Sequence, residues 1–321
     1  MNIGLTYDLQ TDPSDERQAE FDAPATLEAL RVALESLDYS VVLLGNANQL
    51  IADHRSLHSV DIVFNIAEGS FGRCREAWVP MLLEQWGVPF IGSTAAAQAL
   101  GLDKVMSKRL ALASGVQTPP WWLIADAGAP LAEHLPFPLI VKPCYEGSGL
   151  GIDPQAVVYN DQALRKRVDN LIARFKQPCL VEQFIPFGEL TVFLTGNHPP
   201  QAYPVIQRPL DVKTRLSTHV AGEIREWFCP VELTPALDSA AREAAVKVFE
   251  ALGCRDMARV DFRVDEAGQV YFLEINPLPS FAPDGTIGLL AEFLGITYAQ
   301  LVGRIVDAAI DRIKQANLRL E

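Results

Sequence analysis

Short continuous apolar runs punctuate the first hundred residues: "NIGLTYD", "SVVLLG", "VDIVFNIAEG" and "VPFIGS". Runs of this length suit strands buried on both faces. Between them, "APATLEALRVALESLDY" and "REAWVPMLLEQWG" carry apolar residues at helical spacing. Strand and helix in alternation predict a parallel sheet with crossover helices, so the opening segment is of the α/β class. Ligands of such sheets collect at the C-terminal strand ends, where Tyr7, Asp8, Asn65 and Glu68 are expected.

Beyond residue 95 the pattern changes. "TAAAQALGLDKVMSKRLALASGVQTPP" predicts a helix bearing Lys104 and Lys108, stopped by Gly115 and the Pro119–Pro120 pair. "PLIVKP" is a strand that runs into the glycine-rich "CYEGSGLGI". "QALRKRVDNLIARF" predicts a helix with a basic outer face, and "CLVEQFI" and "ELTVFLTG" predict strands. "RPLDVKTRLSTHVAGE" is polar and irregular and predicts a long loop. After the amphipathic "PALDSAAREAAVKVFEALG" come two strand signals, "ARVDFRV" and "YFLEINPLP", joined by the turn "DEAG". "GLLAEFLG" and "YAQLVGRIVDAAIDRIKQA" close the chain as helices.

Composition narrows the function classes. The 321 residues are 49% hydrophobic and 21% charged, enough to build a sizeable core. A net charge of −13 argues against a general nucleic-acid binder but leaves room for a local basic pocket. No apolar run approaches membrane-spanning length, and "MNIGLTYDLQ" lacks the features of a signal peptide. Cys74, Cys144, Cys179, Cys229 and Cys254 are odd in number and form no CxxC, so reduced thiols and a cytoplasmic location are expected. The five histidines make no i, i+4 pair, and a zinc site is not expected.

Two segments carry chemistry. On a strand, Glu274 and Asn276 point to one face, and a paired hairpin adds Asp261 with Arg259 beside it. Three oxygen ligands on one wall suit Mg²⁺ and nucleotide phosphates. A solvated strand face closed by an Asx turn satisfies the same spacing. The loop after Lys142 holds Gly147, Gly149 and Gly151 around Ser148, which lets backbone N–H groups approach phosphate oxygens. It matches neither a P-loop nor a dinucleotide fingerprint. Glu182 and Glu189 flank a strand end that can offer backbone groups to an adenine edge; two surface glutamates are the plain alternative.

In order and spacing these motifs resemble an ATP-grasp ligase, most closely the D-alanine–D-alanine ligase family. The resemblance runs through "GLDKVMSKRLALASGVQTPP", "PLIVKPCYEGSGLGI", "LVEQFIPFGELTV" and "ARVDFRVDEAGQVYFLEINPLPSFAP", roughly residues 60–285. It implies an ATP-grasp fold: an N-terminal parallel α/β domain over 1–95, then two α+β subdomains, 96–180 and 181–321, sandwiching ATP. Lys104 and Lys142 would hold phosphates, with Glu146, Gly147 and Gly149 at the nucleotide and Ser148 over it. Glu182 and the Gln183, Phe184 and Ile185 backbone would bind adenine, and Glu189 the ribose. Asp261, Glu274 and Asn276 would hold two Mg²⁺ ions, or Mn²⁺ in their place. Arg259 would stabilise the acyl phosphate and tetrahedral intermediate, the Ser280 N–H the oxyanion, and Lys213 would close on the nucleotide from a lid loop. The implied partners are small amino-acid or short peptide substrates, and the implied assembly is a homodimer through the N-terminal domain. A silent ATP-binding protein would have lost a metal ligand or phosphate lysine, and none is missing. A nicotinamide oxidoreductase would need a glycine fingerprint after the first strand, and "TYDLQTD" has none.

Departures from the family pattern lie on the substrate side. "YDLQTDPSDERQAEFD" replaces the usual N-terminal segment, leaving Asp15, Glu16 and Glu20 as candidates for its glutamate. Glu68 stands where the family has histidine, Arg73 where it has glutamate, and Gly285 where it has serine. These changes predict substrates other than two D-alanines. Arg73 and Arg75 could meet an extra carboxylate, and Asp284 an extra amine, unless Arg73 simply pairs with Glu76.

Overall fold

The chain forms three main sheets in a computed structural model, which describes residues 1–217 and 226–318. Residues 218–225, which include the end of the polar stretch, fall outside the described residues. The N-terminal sheet holds β1 (Asn2–Tyr7), β2 (Ser40–Gly45), β3 (Ile62–Ile66) and β4 (Phe90–Ile91) in the order β2-β1-β3-β4, all parallel. Its helices are α1 (Pro24–Glu35), α2 (Ala47–Ala52) and α3 (Trp78–Trp86). Pro24 starts α1 at the position where a missing N–H costs nothing. The short α2 is too brief to show a period, yet Asn46 and Gln49 close it with a capping box. Strand order reverses beside β1, which opens a crevice above the ends of β1 and β3.

Two helices follow where the pattern predicts one, α4 (Ala95–Leu102) and α5 (Lys104–Ala113). Asp103 is the break. It leaves helical geometry, and its carboxylate accepts from the N–H groups of Val105 and Met106, starting a new helix.

The central sheet contains β5 (Trp121–Ile124), β6 (Leu139–Pro143), β7 (Val157–Val158) and β8 (Cys179–Gln183), antiparallel in the order β5-β8-β6-β7. Helix α6 (Asp161–Phe175) covers it through Leu164, Val168 and Leu171. The C-terminal part adds β9 (Gly188–Thr195), β10 (Gln201–Ala202), β11 (Ile206–Arg208), β12 (Leu210–Asp211), β13 (Trp227–Phe228), α7 (Pro235–Leu252), β14 (Met257–Val264) and β15 (Val270–Asn276). Its sheet runs β10-β9-β14-β15, with β11 also on β9. The predicted long loop is therefore partly strand: its Arg208 ends β11, and β12 pairs with β13. Both strands are completed by partners outside the polar stretch, which a local pattern cannot show.

The closing helices α8 (Thr286–Phe293) and α9 (Tyr298–Leu318) return to the N-terminal sheet. Leu290, Leu301, Ile305 and Val306 share one core with Ile3, Leu5, Phe64 and Leu34. No single helix among the described residues is long and apolar enough to cross a membrane. Ala97, Ala111 and Val116 pack with Leu190, Val192 and Phe262, so α4 and α5 back the C-terminal sheet. All five cysteines are free.

Candidate active site

A cavity of about 520 Å³ lies between the central and C-terminal sheets and reaches the N-terminal part. The β14–β15 hairpin forms one wall. Its register sets Asp261 opposite Glu274 and Arg259 opposite Asn276, with an irregularity after Asp261. All four residues line the cavity. The Arg259 Nε donates to Asp261 Oδ2 at 3.0 Å, and the Thr191 hydroxyl donates to Oδ1 at 2.7 Å. Lys104 Nζ lies 2.8 Å from Glu274 Oε2. Burial would raise the Glu274 carboxyl, but Lys104, Lys142 and Arg259 hold it well below the usual carboxylate range. Asn276 Oδ1 accepts from the Leu278 N–H at 3.0 Å, so an Asx turn is present at this cavity-lining residue, and an amide oxygen can accept a second contact. Two carboxylates and an amide oxygen are a hard-oxygen set that fits Mg²⁺. Among the described residues no cluster of three His, Cys, Asp or Glu side chains could hold a metal ion.

Glu182 anchors the opposite wall. It is almost wholly buried, and both Lys142 and Lys108 pair with it, the latter at 2.9 Å. The two lysines outweigh burial and keep the Glu182 carboxyl low, whereas burial pushes the Lys108 ammonium down to about 8. Lys108 also donates to the Thr118 hydroxyl and the Phe272 carbonyl. It therefore positions Glu182 from behind and does not line the cavity. After β8 the N–H groups of Gln183 and Phe184 are used by Pro120 and Pro138, and the Ile185 carbonyl accepts from Arg263. The Ile185 N–H has no protein partner among the described residues. Ile140, Phe184 and Leu216 make the slot apolar. Glu189 pairs with Arg263 at 2.8 Å. Arg263 and Arg208 line the cavity and were missed from sequence; the alternation Arg259, Asp261, Arg263 along one strand face was the available signal for the first.

The glycine-rich loop covers this wall. Ser148, Gly149 and Gly151 all have positive φ, which is why glycines recur here. Glu20 Oε1 accepts from the Gly147 N–H at 2.6 Å, and a Cβ at Gly147 would sit 2.5 Å from that oxygen. Gly147→Ala is expected to break this tie and lower kcat/KM about tenfold, one hydrogen bond to a charged group. Steady-state turnover checks it, and an unchanged value would remove the loop contact from the reaction. Of the three N-terminal acids, Glu20 alone lines the cavity; Asp15 caps a short turn and Glu16 pairs with Arg174.

This geometry has counterparts. The D-ala D-ala ligase C-terminus model matches residues 113–307. A D-alanine–D-alanine ligase of Syntrophotalea carbinolica is 32% identical over 285 residues, 88% of this chain and 90% of its own length. The chain belongs to the D-alanine–D-alanine ligase family. An uncharacterised protein of Sinorhizobium fredii is 34% identical over 253 residues, 77% of this chain and 74% of its own. The crystal structure of a D-alanine–D-alanine ligase from Bacillus anthracis complexed with ATP shares the fold, with a TM-score of 0.78, 23% identity and 98% and 99% of the two chains covered. The architecture is accordingly the ATP-grasp fold of that ligase family.

Where this member of the D-alanine–D-alanine ligase family departs from the pattern, the structure redistributes the charges. Arg73 pairs with Asp103, not Glu76, and lies over the Tyr145 ring away from the main cavity. Arg75 donates to Glu20 at 2.6 and 2.9 Å and to the Tyr145 carbonyl at 2.8 Å. Neither guanidinium lines the cavity. Asp284 is exposed and also outside the lining, whereas Gly285, Ser280 and Glu68 are part of it. Lys213 is exposed on the turn after β12, clear of the cavity. Tyr7, Asp8 and Asn65 are likewise not in the lining; Asp8 is spent on the Gly69 N–H and the Asn46 amide.

Asp22 is the acid that sequence reasoning passed over. Burial, then the neighbouring Asp8, pushes its carboxyl up to about 7. Between about pH 4 and 7 the folded chain thus holds a proton that the unfolded chain has lost, and stability falls as pH rises through that window. Asp22→Asn is expected to stabilise the ligand-free protein by roughly 2 kcal/mol at pH 8 and not at pH 4. Thermal melts at the two pH values check this, and an equal shift at both would contradict it.

Proposed function

We propose that the protein joins the carboxylate of one amino acid to the amine of another, using ATP and releasing ADP and phosphate. One observation carries the reading: Lys104, Lys142 and Arg259 share a cavity with Asp261, Glu274 and Asn276 beneath a glycine-rich loop. A carboxylate attacks the γ-phosphorus to give an acyl phosphate, and the lysines and loop N–H groups oppose the charge on the group in transfer. The amine then attacks the acyl carbon, phosphate leaves, and Arg259 with the Ser280 N–H meets the developing oxyanion. Asp261, Glu274 and Asn276 would hold Mg²⁺, which supplies phosphate charge neutralisation when bound. The open Ile185 N–H would meet an adenine nitrogen, with Glu189 at the ribose. The relatives named D-alanine–D-alanine ligase and the ATP-bound neighbour support this reading.

The test is ADP and phosphate release with Mg²⁺ across single and paired D- and L-amino acids, with products identified by mass. Amino-acid-dependent release with a new amide is the expected result. Release independent of any amino acid would make the protein an ATPase, not a ligase.

A homodimer through the N-terminal part belongs to the same proposal. Trp78, Met81 and Trp86 are exposed at helical spacing along α3, with Ile51 on α2 also exposed. Trp78→Asp with Met81→Asp is expected to convert a dimer to a monomer in sedimentation. A wild-type protein that sediments as a monomer would end this part of the proposal.

A further inference from the structure

The end of the cavity built by the N-terminal part has a surplus of negative charge. Glu20, Asp22 and Glu68 line it, together with Gln10 and Thr26, and these elements contribute no cation to the lining. Glu20 is matched, because Arg75 and the Gly147 N–H take its two oxygens. The other two are not. Asp22 is only 9% exposed, and its carboxylate has no hydrogen bond or ion pair among the described residues. Glu68 has none either. The nearest guanidinium, Arg75, is already committed to Glu20, Glu146 and the Tyr145 carbonyl.

We propose that the amino acid bound at this end carries a second positive charge, on its side chain, and that Asp22 and Glu68 are its specificity determinants. The substrate class is a diamino acid. Buried carboxylates are retained where a cation meets them, since an unpaired buried charge is costly. An amino acid with a neutral side chain brings one ammonium, sufficient for one of the two open carboxylates. A diamino acid supplies both. Burial with the charge of Asp8 raises Asp22, and burial with Glu76, Glu20 and Asp22 raises Glu68 despite the opposing charge of Arg75, the mark of negative charge that the protein's own cations do not fully offset. Glu20 ties this end to the glycine-rich loop, so a substrate here has its carboxylate beside the phosphate site.

The inference rests on the ligase reading, and two measurements separate them. The first is phosphate release at pH 8 with ATP and Mg²⁺, using both enantiomers of 2,3-diaminopropionate, ornithine and lysine against norvaline and norleucine. Each is tested alone and paired with D-alanine. The second is calorimetric binding of the same compounds in the presence of Mg²⁺ and a non-hydrolysable ATP analogue. A diamino acid is expected to exceed its neutral counterpart about tenfold in kcat/KM and in affinity, the scale of one partly desolvated charge pair. Asp22→Asn is expected to abolish that preference by raising KM for the diamino acid about tenfold more than for its neutral counterpart. Turnover that favours neutral side chains overturns the inference and leaves the ligase reading standing. Preferential binding of a diamino acid without phosphate release upholds the inference and overturns the ligase reading. Neither binding nor turnover overturns both.

Discussion

Arg259→Met is expected to lower kcat about 10³-fold while leaving the KM for ATP nearly unchanged, because a fixed charge aimed at a developing oxyanion acts in the transition state and little before it. The side chain is held at the cavity wall. Its Nε donates to Asp261, and the β14–β15 register sets it opposite Asn276. Burial would weaken its charge, but Asp261 and Glu274 more than restore it. Arg259→Lys is expected to recover only part of the loss, since an ammonium cannot keep both the planar bond to Asp261 and a second donor toward the cavity. Asp261 keeps the Thr191 hydroxyl in either variant, so the melting temperature is expected to stay close to wild type. A fall in kcat below tenfold, with a folded variant, would remove Arg259 from the chemistry.

What was legible in the sequence is what depends on neighbours along the chain. Alternation on β14 and β15 placed Asp261, Glu274 and Asn276 on one wall, and the glycines around Ser148 marked a loop with positive φ. The parallel N-terminal sheet followed from alternating patterns. Partners chosen by the fold were not legible. Arg73 finds Asp103 thirty residues on, and Arg75 finds Glu20 fifty-five residues back, so two arginines that suggested an anionic substrate are consumed by protein acids. Lys108 resembled an ordinary helix lysine until β8 brought Glu182 to it. Asp22 follows the same logic in reverse. Nothing local distinguishes it from a surface aspartate; only the packed fold shows that the residue is buried with no partner for its carboxylate among the described residues.

The same long-range pairing holds the N-terminal sheet to the rest of the molecule, and Asp256→Ala is expected to cost about 3–5 kcal/mol of folding stability. Asp256 is fully buried. Oδ1 accepts from Arg312 Nε at 2.8 Å and from the Asn197 amide at 3.0 Å. Oδ2 accepts from Arg312 Nη2 at 2.7 Å and from the Gly92 N–H at 2.9 Å. One carboxylate thus joins the turn after β4, the turn after β9 and the last helix α9. Alanine would remove four acceptor contacts at once, leaving Arg312 with the Phe90 carbonyl and Asn197 with the Ala308 carbonyl, and the residue's φ of 65° adds backbone strain that aspartate and asparagine tolerate better than alanine. Asp256→Asn keeps the backbone preference and part of the acceptor set, so its loss is expected to be about half as large. Urea unfolding of the two variants measures the difference. Equal losses would mean that charge, not backbone strain, decides; a loss below about 1 kcal/mol in both would show that the contact behaves as a surface bridge and that the apolar packing of α9 on β1 and β3 holds the layers together without it.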